Sequence, residues 1–277
     1  LYRYLMLEKS VPQLLQLKPD AKKFSVVAAY DATFAKTIAD AGVDAILVGD
    51  SLGMIVQGKA STVPVTIDQM AYHTEAVARG NARSNSPALV IADMPFMSYQ
   101  NVQAALENAA QLMRAGANMV KLEGGAWLAE TVQQLLQSGV PVCGHLGLTP
   151  QSVNKLGGYK VQGKSDAQRT QLLHDAVALA DAGADFIVLE CIPAELARDV
   201  TEAIGIATIG IGAGHETDAQ VLVAHDLLGL SECPARFVKN FLTPENIYSD
   251  NPIKDAFSSF DKSVKAGTYP AAEHQYN

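Results

Sequence analysis

Eight short apolar runs, at positions 24–29, 44–48, 88–92, 118–122, 140–144, 185–189, 207–211 and 221–225, recur along the chain between Gly, Pro and Asp residues. Their apolar character is largely continuous, which is the pattern of strands covered on both faces. The stretches between them repeat with helical period. Phe34 and Ile38 share a face, as do Ala105, Ala109, Leu112 and Met113, and again Leu172, Ala176, Leu179 and Ala180. Strand alternating with helix predicts right-handed crossovers and a parallel sheet. Eight such strands close most economically into an α/β fold of the (β/α)8 barrel type. An open doubly wound sheet competes, but no Gly-x-Gly-x-x-Gly follows the first strand. Gly210-Ile211-Gly212-Ala213-Gly214 does follow a strand, and alone it is a weak phosphate signal. No linker divides the chain, so residues 1–277 read as one barrel domain with residues 1–10 as an extension.

An internal repeat supports this order. Ala41-Gly42-Val43-Asp44, Ala115-Gly116-Ala117-Asn118 and Ala182-Gly183-Ala184-Asp185 each close a helix and open a strand. The glycine supplies a left-handed helix stop, and the Asp or Asn turns the chain into the strand.

Chemistry gathers where the strands end. Asp50, Ser51, Asp93, Glu123, His145 and Glu190 all fall at such positions, the face at which barrel enzymes carry their active sites. Period-two alternation puts Lys121 on the same face as Glu123, and a lysine inside an apolar strand requires an acidic partner there. Asp31 and Glu107 read as structural, and His145 is open to reading as a satisfied core histidine. Several acids gathered with one lysine at a single barrel end would repel without a cation or ligand. Carboxylates without a Cys/His cluster point to a hard divalent ion, magnesium before zinc. A 2-oxo acid suits such an ion, because its carboxylate and keto oxygens chelate together. The metal then acts as a Lewis acid toward an enolate. Glu190, across the ring of strands, is the candidate proton acceptor.

Composition narrows the partners. A formal charge of −8 with scattered Lys and Arg argues against nucleic acid or an anionic membrane surface. No apolar stretch has the length of a membrane span. Residues 1–16 lack the features of a secretory signal. Cys143, Cys191 and Cys233 are odd in number and far apart, which favours a reducing compartment over a disulfide framework or zinc site.

Several blocks carry a family resemblance. They are Ala29-Tyr30-Asp31, Val48-Gly49-Asp50-Ser51-Leu52-Gly53-Met54, Ala92-Asp93-Met94-Pro95-Phe96-Met97 and the run from Arg114 through Lys121-Leu122-Glu123-Gly124-Gly125. Gly144-His145-Leu146-Gly147-Leu148-Thr149-Pro150-Gln151-Ser152, Gly157-Gly158-Tyr159-Lys160-Val161-Gln162-Gly163, Leu189-Glu190 and Ile209-Gly210-Ile211-Gly212-Ala213-Gly214 complete the set. In this order and spacing, over about residues 24–240, the chain resembles the ketopantoate hydroxymethyltransferase family.

The resemblance implies a (β/α)8 TIM barrel of the phosphoenolpyruvate/pyruvate type. It implies transfer of a one-carbon unit from 5,10-methylenetetrahydrofolate to 3-methyl-2-oxobutanoate, giving 2-dehydropantoate, the first committed step toward pantothenate. It further implies Mg2+ at Asp50 and Asp93 with Glu123 in the same shell, and the oxo acid held by Asp50, Ser51, Asp93 and Lys121. Glu190 would accept the proton and His145 would line the pocket. A cytoplasmic homodecamer acting on small molecules is implied as well.

Residues 1–10, the segment 81–86, Ala219 where the family has glycine, and the tail at 273–276 depart from the pattern. None of these touches the metal or the acceptor acid. Two alternatives stay open. One is a Mg-dependent 2-oxo acid C–C lyase or mutase of the same barrel superfamily. The other is a barrel retained only for binding or assembly.

Overall fold

The computed structural model describes residues 9–277. The extension read at residues 1–10 therefore lies mostly outside the described residues. Eight strands run parallel and close on themselves in sequence order: β1 Phe24–Ala28, β2 Ala45–Val48, β3 Leu89–Asp93, β4 Met119–Glu123, β5 Val142–Gly147, β6 Phe186–Glu190, β7 Ala207–Ile211 and β8 Ala219–Val223. The barrel, rather than the open sheet, is the architecture. No helix among the described residues is long and apolar enough to cross a membrane.

Two strands differ from expectation by more than one residue. β5 starts at Val142, because Val140 still closes the preceding helix through its N–H to Leu135 O, and the strand runs on through His145 to Gly147. β8 is Ala219–Val223 rather than 221–225. Its polar Gln220 looks like a loop residue but is buried, donating to Gly214 O and Thr217 Oγ1. His225 belongs to the short helix Ala224–Leu227.

The three repeat glycines hold left-handed backbone, with φ of 95° at Gly42, 106° at Gly116 and 97° at Gly183. The Asp or Asn two residues on does more than turn the chain. Asp44 accepts from Ser25 N, Asn118 from Val90 N and Asp185 from Val142 N, and Asp218, outside the repeat, accepts from Thr208 N in the same way. Each even-numbered strand thus opens with a side chain that satisfies a backbone donor of the odd strand before it, at the base of the barrel.

Apolar residues form two layers of core. One lies between strands and surrounding helices; the other fills the barrel interior, from Phe24, Val26, Leu89 and Ile91 to Phe186, Val188 and Ile209. Val11 and Leu14, from the helix Val11–Leu15, belong to the interior group and plug the base. Lys9 and Lys18 hold that plug on Asp44 and Asp218 at 2.6 and 2.8 Å. Inward positions follow period two. Leu89 and Ile91 therefore lead up to Asp93, Met119 to Lys121 and Glu123, Cys143 to His145, and Phe186 and Val188 to Glu190. The interior is apolar below and charged above.

Candidate active site

At the charged end lies a cavity of about 240 Å³ whose walls include Asp50, Ser51, Asp93, Lys121, Glu123, His145 and Glu190. Every residue singled out from the sequence meets there. Ala28, Leu47, Val188, Ile211, Val221 and Val223 supply its apolar surface. Glu123 and Glu190 are the last residues of β4 and β6. β2 ends at Val48, so Asp50 sits in the following turn, which accounts for its longer offset in the sequence.

Lys121 is buried, and its main partner is Asp93, with Nζ 2.8 Å from Oδ1; Glu123 Oε1 is farther, at 3.7 Å. Burial alone would lower the lysine's pKa. Asp93, Glu123 and Asp50 reverse that, and its pKa is driven above the ordinary value. Asp93 Oδ2 accepts the N–H of Asp50 at 3.0 Å, joining the turn after β2 to the end of β3. Asp93 Oδ1 is buried without a well-directed hydrogen bond, so its contact with Lys121 is ionic. Burial, then the charges of Asp93 and Glu123, push the Asp50 carboxyl well above the usual range. Asp93 is raised too, by burial against the pull of Lys121.

Glu123 differs. Burial would raise it, but His145, Lys121 and the Gln151 N–H outweigh burial and hold it below its ordinary value. His145 lies between two acids, Nδ1 at 3.2 Å from Glu123 Oε1 and Nε2 at 3.2 Å from Glu190 Oε2. Burial and Lys121 pull the imidazole down, yet the two glutamates push it up to about 9. His145 therefore belongs to a charged network that favours its protonated form, rather than standing alone in the core. The cavity wall carries five carboxylates, Asp50, Asp93, Glu123, Glu190 and Asp226, against the two basic groups Lys121 and His145.

Sequence reasoning passed over three buried residues that fix this array. Gln151 donates its N–H to Glu123 Oε2 at 3.0 Å and its amide to Asp50 Oδ2 at 2.8 Å and Met94 O at 2.9 Å. Its own Oε1 accepts from the Tyr99 hydroxyl at 2.6 Å. The Tyr30 hydroxyl pairs with Ser51 Oγ at 2.8 Å. Gln151 stood inside a quoted motif, but nothing in its type marked it as a bridge. Asp226 also reaches the cavity, from beyond β8. Gly49 has a steric reason: a Cβ there would sit 2.7 Å from Ser51 Oγ.

As an apparatus the site can orient a small anion on Lys121 and Ser51, hold a cation among Asp50, Asp93 and Glu123, and accept a proton at Glu190. Among the described residues no group of three or more His, Cys, Asp or Glu forms a ready metal cage. The donor set nevertheless fits magnesium, which is commonly held by one or two carboxylates and completes its octahedron with water and substrate oxygens. The excess of carboxylates over basic groups on this wall is the feature a divalent ion would satisfy, since Asp93 Oδ1 already has Lys121 as its ionic partner.

Comparison with known proteins agrees with this picture. The family model described as ketopantoate hydroxymethyltransferase matches residues 8–272. A protein of Saccharophagus degradans named 3-methyl-2-oxobutanoate hydroxymethyltransferase is 54% identical over 272 residues, covering 98% of this chain and 97% of that protein. One from Pseudomonas entomophila, named 3-methyl-2-oxobutanoate hydroxymethyltransferase 2, is 52% identical over 275 residues, covering 98% and 100%. Among solved structures, 2,3-dimethylmalate lyase, a phosphoenolpyruvate mutase/isocitrate lyase superfamily member, matches with a TM-score of 0.54 at 17% identity, over 94% of this chain and 99% of that one. Phosphonopyruvate hydrolase in complex with oxalate and Mg2+ matches with a TM-score of 0.58 at 11% identity, over 96% and 93%. Likeness at those identities shows the shared barrel and leaves the chemistry to the site.

Proposed function

The chain belongs to the ketopantoate hydroxymethyltransferase family, and on that premise we propose that it transfers the one-carbon unit of 5,10-methylenetetrahydrofolate to 3-methyl-2-oxobutanoate, giving 2-dehydropantoate. The observation that carries this reading is the convergence of Asp50, Asp93, Lys121, Glu123 and Glu190 on one small cavity.

Asp50, Asp93 and Glu123 would hold Mg2+. Once bound, the ion would polarise the keto oxygen of the oxo acid and stabilise the enolate. Lys121, with Ser51 beside it, orients the carboxylate and offsets negative charge as it develops. Glu190 takes the proton from C3, with His145 Nε2 3.2 Å from its Oε2. The carbon freed of its proton then bonds to the methylene of the folate. Forming that C–C bond breaks the first of the methylene's two C–N bonds, and a C–O bond from water replaces the second; the two nitrogens take up the proton from C3 and one from water, and tetrahydrofolate departs. The lyase and mutase alternative shares the barrel, but the relatives at 52–54% identity carry the transferase name.

The direct test is turnover of 3-methyl-2-oxobutanoate with 5,10-methylenetetrahydrofolate, with Mg2+ and then with chelator. Product should form only with the metal, and metal-independent turnover would defeat the reading. Stability gives a second readout. Asp50 and Asp93 have raised pKa values when folded, so the metal-free protein carries no penalty below the unfolded carboxylate pKa. The penalty grows as pH rises through the folded values. Mg2+ should therefore raise Tm, and raise it more at pH 8 than at pH 5; an equal shift at both would contradict the assignment.

We also place the enzyme in the cytoplasm as a homodecamer. A solution mass of about ten chains is expected by sedimentation, and a monomer would exclude it.

A further inference from the structure

A second cavity, of about 200 Å³, adjoins the first and shares three of its wall residues, Tyr159, Glu190 and Phe237. Alone, each is smaller than the ~300–1,000 Å³ usual for a small-molecule site; joined, they fall inside that range. The donor methylene has to meet the same carbon from which Glu190 removes the proton, so the donor's space must adjoin Glu190. A larger cavity of about 300 Å³ beside β4 and β5 reaches His145 but not Glu190, and does not meet that condition.

The walls of the second cavity suit one kind of molecule. Tyr159, Phe237 and Tyr276 offer aromatic faces, and Lys160 stands exposed at the edge. The Arg236 guanidinium carbon lies 6.0 Å from the centre of the Tyr276 ring, bracing that ring and adding positive charge outside it. A flat heterocycle packs between aromatic rings, and an anionic tail is drawn to lysine and arginine. We infer that this cavity is the donor subsite, with Tyr276 stacking against the pterin and Lys160 facing the glutamate end of the folate. The inference rests on the reading above that the donor is a reduced folate.

Tyr276→Ala and Lys160→Ala, each compared with Tyr276→Phe, test it by steady-state kinetics with both substrates varied. The Ala variants should raise KM for 5,10-methylenetetrahydrofolate about five- to tenfold while KM for the oxo acid stays within about twofold, and Tyr276→Phe should keep the wild-type values. An unchanged folate KM in both Ala variants would overturn the placement, as would equal rises in both KM values. Titration of wild-type protein, loaded with Mg2+ and oxo acid, with tetrahydrofolate separates the two readings. If it binds no folate at all, the proposed donor itself is wrong. If it binds normally and neither Ala variant weakens it, only the location is.

Discussion

Replacing Glu190 with glutamine is expected to slow both turnover and exchange of the C3 hydrogen of 3-methyl-2-oxobutanoate into deuterated water by about 10²–10⁴-fold. Glutamine keeps the size of the side chain and can still accept from the imidazole of His145, which lies 3.2 Å from the present carboxylate. It cannot take a proton. Binding of the oxo acid and of Mg2+ should survive, because Glu190 stands on β6, opposite the Asp50 turn of β2 in the ring of strands. Exchange needs no folate, so the experiment isolates proton removal from the carbon–carbon step. His145 is the poorer base, because Glu123 and Glu190 favour its protonated form. If Glu190→Gln exchanged hydrogen at the wild-type rate, Asp226 would be the remaining uncommitted acid on the cavity wall.

Removing Lys121 should cost both stability and substrate. Its amine is the only one among the cavity-lining residues, and it serves Asp93 and Glu123 together. Lys121→Ala leaves those carboxylates buried without it, and breaking a buried pair in this way costs about 3–5 kcal/mol. Urea denaturation of the metal-free protein should show that loss, and Mg2+ should restore much of it by neutralising the same acids. Affinity for the oxo acid should not return with the metal, because the carboxylate has lost its cation. Lys121→Arg should rescue stability better than activity, since a wider planar head does not fit a site shaped for a compact ammonium. Full stability in metal-free Lys121→Ala would show that Asp93 and Glu123 do not depend on the amine.

Much of this architecture is readable from residue order. Continuous apolar runs mark strands hidden on both sides, and acids at their ends mark the reactive rim. What escaped detection depends on distance. Gln151 is separated from Asp50 by 101 positions, and no local pattern forecasts their contact. The caps at Asp44, Asn118 and Asp185 were visible as turn formers, but their hydrogen-bond partners lie on neighbouring strands. β8 was misplaced because Gln220, a polar residue, is satisfied internally and so can occupy a strand. Glu123 and the acids beside it are the expected partners of Lys121, and among them the adjoining strand brings Asp93 nearest. Period two fixes which face a side chain takes; the pairing register decides which neighbour it meets.

The division of the barrel interior, greasy toward the plugged base and ionic toward the rim, separates cohesion from reactivity. A lineage can exchange the uppermost ring of side chains without undermining the foundation that keeps the cylinder standing. Proteins named for hydrolysis, cleavage and rearrangement share this cylinder at 11–17% identity, so one cylinder carries different rims.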